Sequence, residues 1–208
     1  ITDELLAGSE EERTTYLIKA GVPVTMGGTA VMTADGRFMP QDGEAKGELV
    51  LRAPWLTQGY FREPQKGEEL WENGWLHTGD VATLDGMGFI DIRDRIKDVI
   101  KTGGEWISSL ELEDLISRHP AVREVAVVGI ADPQWGERPF ALLVLREGAE
   151  LDARGLKEHL KPFVEQGHIN KWAIPTQIAL VTDIPKTSVG KLDKKRIRLD
   201  IAQWQAAG

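Results

Sequence analysis

At 208 residues, with 41% hydrophobic and 28% charged residues, the chain is long and apolar enough to bury a core and is not expected to be disordered. A formal charge of -8 gives no hint of a basic face, so nucleic acid is not expected as a partner. The absence of cysteine excludes disulfides and thiolate metal sites, and any thiol nucleophile has to come from elsewhere.

The opening ITDELLAGSEEERTT has neither the basic nor the apolar region of a signal peptide, lacks a starting Met, and reads as an internal position in a longer protein. No apolar run approaches the roughly 20 residues of a membrane span. A cytoplasmic setting, at most peripheral to a membrane, is the expectation. Residues 1–20 mix acids with a weak helical pattern. From Gly21 the texture changes to short apolar runs separated by turn signals: VPVTMGGTAVMT, ADGR, then GELVLRAP. Asp35-Gly36 and Asp42-Gly43 read as hairpin-type turns between strands. Asp85-Gly86 precedes a further strand in which Ile90 and Ile92 alternate with Asp91 and Arg93.

After Arg95 the elements become mixed. Ser108 and Glu111 have capping-box spacing, Leu112, Leu115 and Ile116 share a helical face, and Pro120 ends the run. VREVAVVGIAD and PFALLVLRE read as strands. Leu156, Leu160, Phe163 and Val164 mark a helix that Pro162 breaks, kinks or restarts. TQIALVTDI reads as a strand, and Ile197, Ile201 and Trp204 lie on one stripe of a final helix. The fold class is therefore α+β. A β-rich segment, 1–95, is followed by a small α+β domain, 96–208.

Three stretches carry candidate chemistry. In Trp75-Leu-His-Thr-Gly-Asp80, a Thr-Gly-Asp turn presents one carboxylate, and a carboxylate suits a cis-diol such as ribose. Its ordinary reading is a turn-former. In the stretch from Arg93 to Ser108, charged residues flank a Gly pair. The ordinary reading is a solvated face, and the functional one is a hinge followed by a loop that a ligand chain passes closely. In Ile184-Pro-Lys-Thr-Ser-Val-Gly-Lys191, a loop ends in a lysine able to reach into a site made by another domain. It is not a P-loop, because Leu192 stands where Ser or Thr is required. The four histidines lack metal-ligand spacing. The cluster Lys194, Lys195, Arg196 and Arg198 reads as a solvated helix face before it reads as a site for phosphates. Apart from Trp106, the tryptophans read as packing or interface residues.

Taken together and in order, GELVLRAPWLTQGYF at 47–61, HTGD at 77–80, GFIDIRDRIKD at 88–98, GGEWISSLELE at 103–113 and PKTSVGK at 185–191 resemble the adenylate-forming (AMP-dependent synthetase/ligase) superfamily. The GGEWISSLELE form is most similar to the medium- and long-chain fatty acyl-CoA synthetases. The resemblance covers nearly the whole chain and implies the C-terminal portion of such an enzyme: the β-rich end of the large N-terminal domain, then the small mobile lid domain. Members use ATP and a carboxylic acid to make an acyl-adenylate, then pass the acyl group to coenzyme A and release AMP.

The resemblance implies a role for each matching residue. Asp80 binds the ribose hydroxyls, and Arg95 contacts the ribose and its phosphate side. Lys191 is the catalytic lysine of adenylation. Lys97 is the hinge about which the small domain rotates between half-reactions. The loop from Lys101 through Gly103, Gly104 and Glu105 to Trp106 serves the thioester step, with its glycines lining the pantetheine path. No metal ligand is expected in this segment. The Gly-rich phosphate loop, the Tyr-Gly-x-Thr-Glu motif, the acyl pocket and the Mg2+ contacts are expected upstream, in a missing N-terminal part of the same polypeptide. The segment alone is therefore expected to be inactive. A homodimer is compatible with the sequence. Two alternatives stand beside this reading: a ligase for an aromatic or short acid, or for loading a carrier protein, and a non-catalytic binding module of the same fold.

Overall fold

Ser9 and Glu12 cap the first helix, α1 (Glu10–Leu17), reciprocally: each side chain takes the other residue's backbone N–H. The structure is a computed structural model that describes residues 7–205, so the first six residues of the acidic opening lie outside it. The chain divides into two compact units between Lys97 and Asp98.

The first unit is built on an antiparallel five-stranded sheet. Its strands are β1 (Gly28–Met32), β2 (Gly47–Arg52), β3 (Trp71–Glu72), β4 (Trp75–Leu84) and β5 (Ile90–Arg95), with a short helix α2 (Pro64–Leu70) before β3. β4 is the spine. β2 pairs along one edge, and β3 and β5 share the other. Val31, Leu49, Ala82, Leu84 and Ile90 close the core of this unit. The strand expected from residue 22 begins only at Gly28. Asp42 does not turn a hairpin between two strands: its carboxylate accepts the N–H groups of Glu44 and Ala45, each at 2.8 Å, which holds it below the usual carboxylate range.

The second unit has β6 (Ile100–Thr102), β7 (Glu105–Ile107), helix α3 (Ser109–Ser117), β8 (Val122–Asp132), β9 (Gly136–Leu145), helix α4 (Ala153–Glu165), a 3-10 turn (Lys171–Ala173), β10 (Gln177–Leu180), and helices α5 (Lys194–Leu199) and α6 (Ile201–Gln205). β8 and β9 form a long hairpin, and β10 joins β9 in parallel. Their continuous apolar runs have a simple cause, since both sheet faces are covered. Val125, Val127, Ala141 and Leu143 face α3 and α4, while Ala126, Val128, Phe140 and Leu142 face α5 and α6.

Ser108 caps α3 through the Glu111 N–H at 3.1 Å. Pro162 neither ends nor restarts α4, which runs as one helix through it. The expected final helix is two. Asp200 (φ -99°, ψ 17°) stops α5, and its carbonyl accepts the Gln203 N–H at 2.9 Å in α6. Ile197, Ile201 and Trp204 nonetheless pack on the same core.

Candidate functional site

The segment 78–80 is not a turn at the end of a strand but a bulge inside β4. Glu48 pairs with Val81 and Val50 with His77, so Leu49 alone faces Thr78, Gly79 and Asp80. Gly79 (φ 72°) supplies the left-handed backbone that the bulge needs. Glu48 fixes it from β2: one carboxylate oxygen accepts the Gly79 N–H at 2.9 Å, and the other lies 2.8 Å from His77 Nδ1. Thr78 Oγ1 donates to the Leu49 carbonyl at 2.7 Å and accepts the Asp80 N–H at 3.1 Å. Past the bulge, Asp80 is opposite Arg95 on β5, and Arg95 Nε sits 2.7 Å from Asp80 Oδ1. The Asp80 side chain is 21% exposed and that of Arg95 58%, so the carboxylate is held while the guanidinium tip stays open to solvent. Lys97 follows two residues later in the turn that ends the first unit.

The stretch expected as a loop from Lys101 to Trp106 is a β-hairpin. Lys101 pairs with Trp106 and Thr102 with Glu105. Gly103 (φ 59°) and Gly104 (φ 87°) form its two-residue tip, where both central residues need positive φ. The Lys101 ammonium lies 5.3 Å from the Trp106 ring centre. A side chain at Gly104 would enter open space, whereas a Cβ at Gly103 would meet the Trp135 ring at 3.1 Å.

Lys191 closes a tight loop. Lys186 bridges to Leu192, the Thr187 N–H donates to the Lys191 carbonyl at 2.7 Å, and Gly190 (φ 80°) makes the corner. The Lys191 side chain is exposed. Lys186 is anchored on Glu124 at 2.8 Å, an ion pair that lowers the carboxyl of Glu124 and raises the amine of Lys186.

The cationic cluster near the C-terminus is a solvated face only in part: Lys195 and Arg196 are exposed, while Lys194 and Arg198 turn inward. Lys194 is buried, its Nζ 2.8 Å from Glu113 Oε1 and 2.7 Å from Ser109 Oγ. Arg196 is paired with Asp200, and Arg198 with Asp98. A different cationic feature appears elsewhere. A cleft of about 720 Å³ is lined by Arg138, Arg154, Lys157, Lys171 and Trp172. Trp172 lies against Trp135 with ring centres 4.7 Å apart, and the Lys171 ammonium is 4.8 Å from the Trp172 ring centre. Four cations beside a flat aromatic ring suit a phosphate-bearing, aromatic-ended ligand.

Residues 111–191 match the model of the AMP-binding enzyme C-terminal domain, a match that ends on Lys191. The chain belongs to the adenylate-forming superfamily. It is 42% identical over 191 residues to a long-chain-fatty-acid–CoA ligase of Thermus thermophilus, covering 91% of this chain and 34% of that protein. It is 36% identical over 207 residues to a medium/long-chain-fatty-acid–CoA ligase of Mycobacterium tuberculosis, covering 98% of this chain and 35% of the relative. Among solved structures, o-succinylbenzoate CoA synthetase of Bacillus subtilis in complex with its acyl-adenylate intermediate superposes with a TM-score of 0.77 at 31% identity. That match covers 92% of this chain and 37% of the other. The chain thus spans about a third of the length of the relatives it matches. It resembles the C-terminal portion of AMP-forming acyl-CoA ligases.

Within this superfamily member, sequence reasoning missed Glu48, which holds the Gly79 bulge from a neighbouring strand, and the cleft around Trp172. Glu48 lies inside GELVLR, where one acid among apolar residues was the available signal. The cleft had none, because its cations come from β9, α4 and the 3-10 turn.

Proposed function

We propose that this chain works as the C-terminal part of an ATP-dependent, AMP-forming acyl-CoA ligase that activates a fatty acid. The carrying observation is the Asp80–Arg95 pair, seated at 2.7 Å behind a glycine bulge in a chain 42% identical to a fatty-acid–CoA ligase. Asp80 accepts the ribose hydroxyls, and Arg95 turns its open guanidinium edge to the ribose and phosphate. In adenylation the acid's carboxylate oxygen attacks the α-phosphorus of ATP and pyrophosphate leaves. Both partners are anionic, and the Lys191 ammonium offsets their repulsion in the transition state. In the second step the CoA sulfur bonds to the acyl carbon, the mixed-anhydride C–O bond breaks, and AMP leaves. The Lys101–Trp106 hairpin serves this step, with Gly104 leaving its tip open to the pantetheine arm. Lys97 is the hinge between the two orientations. The cleft at Trp172 fits the phosphate and adenine end of CoA better than the Lys194 cluster, whose Lys194, Arg196 and Arg198 are already paired. Mg2+, which would neutralise the ATP phosphates, is assigned to residues outside this chain.

In the full polypeptide carrying this segment, Lys191→Ala should slow adenylation by about 10²–10³ and thioester formation from supplied acyl-adenylate far less. Equal loss in both steps, or none, counts against the assignment. The 208-residue chain alone should give no AMP-forming turnover. The likeness to o-succinylbenzoate CoA synthetase favours a second reading, an aromatic acid. A panel of acids of graded chain length and of aromatic acids, assayed on the full polypeptide, separates the two.

A further inference from the structure

The β6–β7 hairpin is docked on the turn joining β8 to β9. The Gly103 N–H donates to the Trp135 carbonyl at 2.9 Å, and Thr102 pairs with Gly136. Asp132 stiffens that turn by accepting the N–H groups of Gln134 and Trp135, both at 2.9 Å. A side-chain hydrogen bond also reaches the hairpin: Glu137 Oε2 accepts the Lys101 N–H at 2.9 Å. Glu137 reaches Lys101 because its carboxylate lies over Gly129 of β8. A Cβ at Gly129 would stand 3.0 Å from Glu137 Oε2 and 3.1 Å from its Cδ. A glycine within a strand that leaves room for a carboxylate, and a carboxylate spent on one main-chain N–H of the hairpin, are two observations with one purpose.

We propose that Glu137, seated over Gly129, is a positioning residue for the thioester-forming half-reaction: it fixes the Lys101 end of the hairpin and so the place of the Gly103-Gly104 tip. This rests on the reading above that the hairpin serves the thioester step. Glu137 touches no substrate. Losing its contact loosens the tip, and a misplacement near 1 Å at a positioning element costs up to about 10²-fold in rate. Adenylation, assigned to Lys191, does not depend on that tip.

The test compares Glu137→Leu, which removes the acceptor, with Glu137→Gln, which keeps one carbonyl oxygen for the Lys101 N–H. The full polypeptide is assayed for pyrophosphate release, and separately for thioester formation from dodecanoyl-adenylate and CoA. Glu137→Leu should lower kcat of the thioester step by about tenfold or more and leave adenylation within about twofold, while Glu137→Gln restores most of the rate. In the 208-residue chain, amide hydrogen exchange at Lys101 should quicken in the Leu variant and not in the Gln variant. If Glu137→Leu does not fold, Gly129→Ala crowds the carboxylate instead and should produce the same split, and an unchanged thioester rate in it overturns the proposal. Gly104→Asn, which fills the tip, separates the two levels of the argument. A slow thioester step in Gly104→Asn with a normal one in Glu137→Leu removes Glu137 and leaves the hairpin reading standing. Normal thioester rates in both variants remove the hairpin reading and the proposal with it. Equal loss of both half-reactions without rescue by Gln marks Glu137 as a fold residue only, and overturns the positioning role.

Discussion

Arg95 places Nε 2.7 Å from Asp80 Oδ1 across two antiparallel strands, and Asp80 reaches that position only because the Gly79 bulge shifts β4 against β2. The pair therefore couples a backbone irregularity to a side-chain geometry. Its contribution to folding stability is small, since the Arg95 side chain is 58% exposed. Arg95→Ala should change unfolding free energy by no more than about 1 kcal/mol, measured by urea titration. In the full polypeptide, Asp80→Ala should raise KM for ATP by about 10- to 100-fold, the loss of hydrogen bonds to a charged acceptor. An unchanged KM for ATP removes Asp80 from the nucleotide site.

Lys97→Pro tests the hinge. Proline holds φ near -65° and restricts Ile96 before it. The ratio of adenylation to thioester-step rates should shift by at least about tenfold, as expected when domain closure gates each step. Two unaltered rates would exclude Lys97 as the pivot.

Breaking the buried Lys194–Glu113 pair should destabilise the second unit. Glu113 Oε1 accepts from Lys194 Nζ at 2.8 Å and from the Val127 N–H at 2.7 Å, which joins α5, α3 and β8. Lys194→Met leaves that carboxylate buried without its cation and should cost about 3–5 kcal/mol. Denaturant unfolding of the chain measures it, and a cost below about 1 kcal/mol would show that the pair behaves as a surface bridge.

His119 gives the second unit a pH dependence. Burial lowers its pKa, and the neighbouring His159 adds to the effect; the ring centres are 4.9 Å apart. His119 Nδ1 accepts the Ala121 N–H at 3.1 Å, and His159 Nε2 lies 2.9 Å from the Leu115 carbonyl. A histidine depressed in the folded state binds fewer protons there than in the unfolded chain. Its stabilising contribution is therefore complete above the unfolded pKa of about 6.5 and is lost as pH falls through the lower folded value. Thermal unfolding midpoints should drop more steeply below about pH 6.5 in the parent than in His119→Asn, which retains an acceptor for Ala121. Parallel pH profiles would assign the dependence to other groups.

Much of the fold was legible where one covering rule applies along a segment. The runs 122–132 and 139–145 read as strands because both their faces are covered. Ser108 announced α3 because its cap is local. Legibility failed where two structures share one local signature. A Gly before Asp80 marks a turn or a bulge equally well, and only the pairing of β4 with β2 decides. A three-residue apolar stripe through Ile197, Ile201 and Trp204 fits one helix or two that share a core. Lys194 looked solvated because its partner Glu113 lies 81 positions away, beyond any periodicity.

By itself the sequence determined the α+β class, the main strands and helices, and an ordered set of motifs that resembles the adenylate-forming superfamily. These depend on spacings of a few residues, where backbone geometry repeats. Only the tertiary structure decided that Glu48 holds the Asp80 bulge, that Glu137 grips the Gly103-Gly104 hairpin, and that four cations gather at Trp172. Hydrogen bonds and ion pairs act over about 3–4 Å whatever the separation along the chain, so these contacts came into view only once the sheets had brought distant segments together.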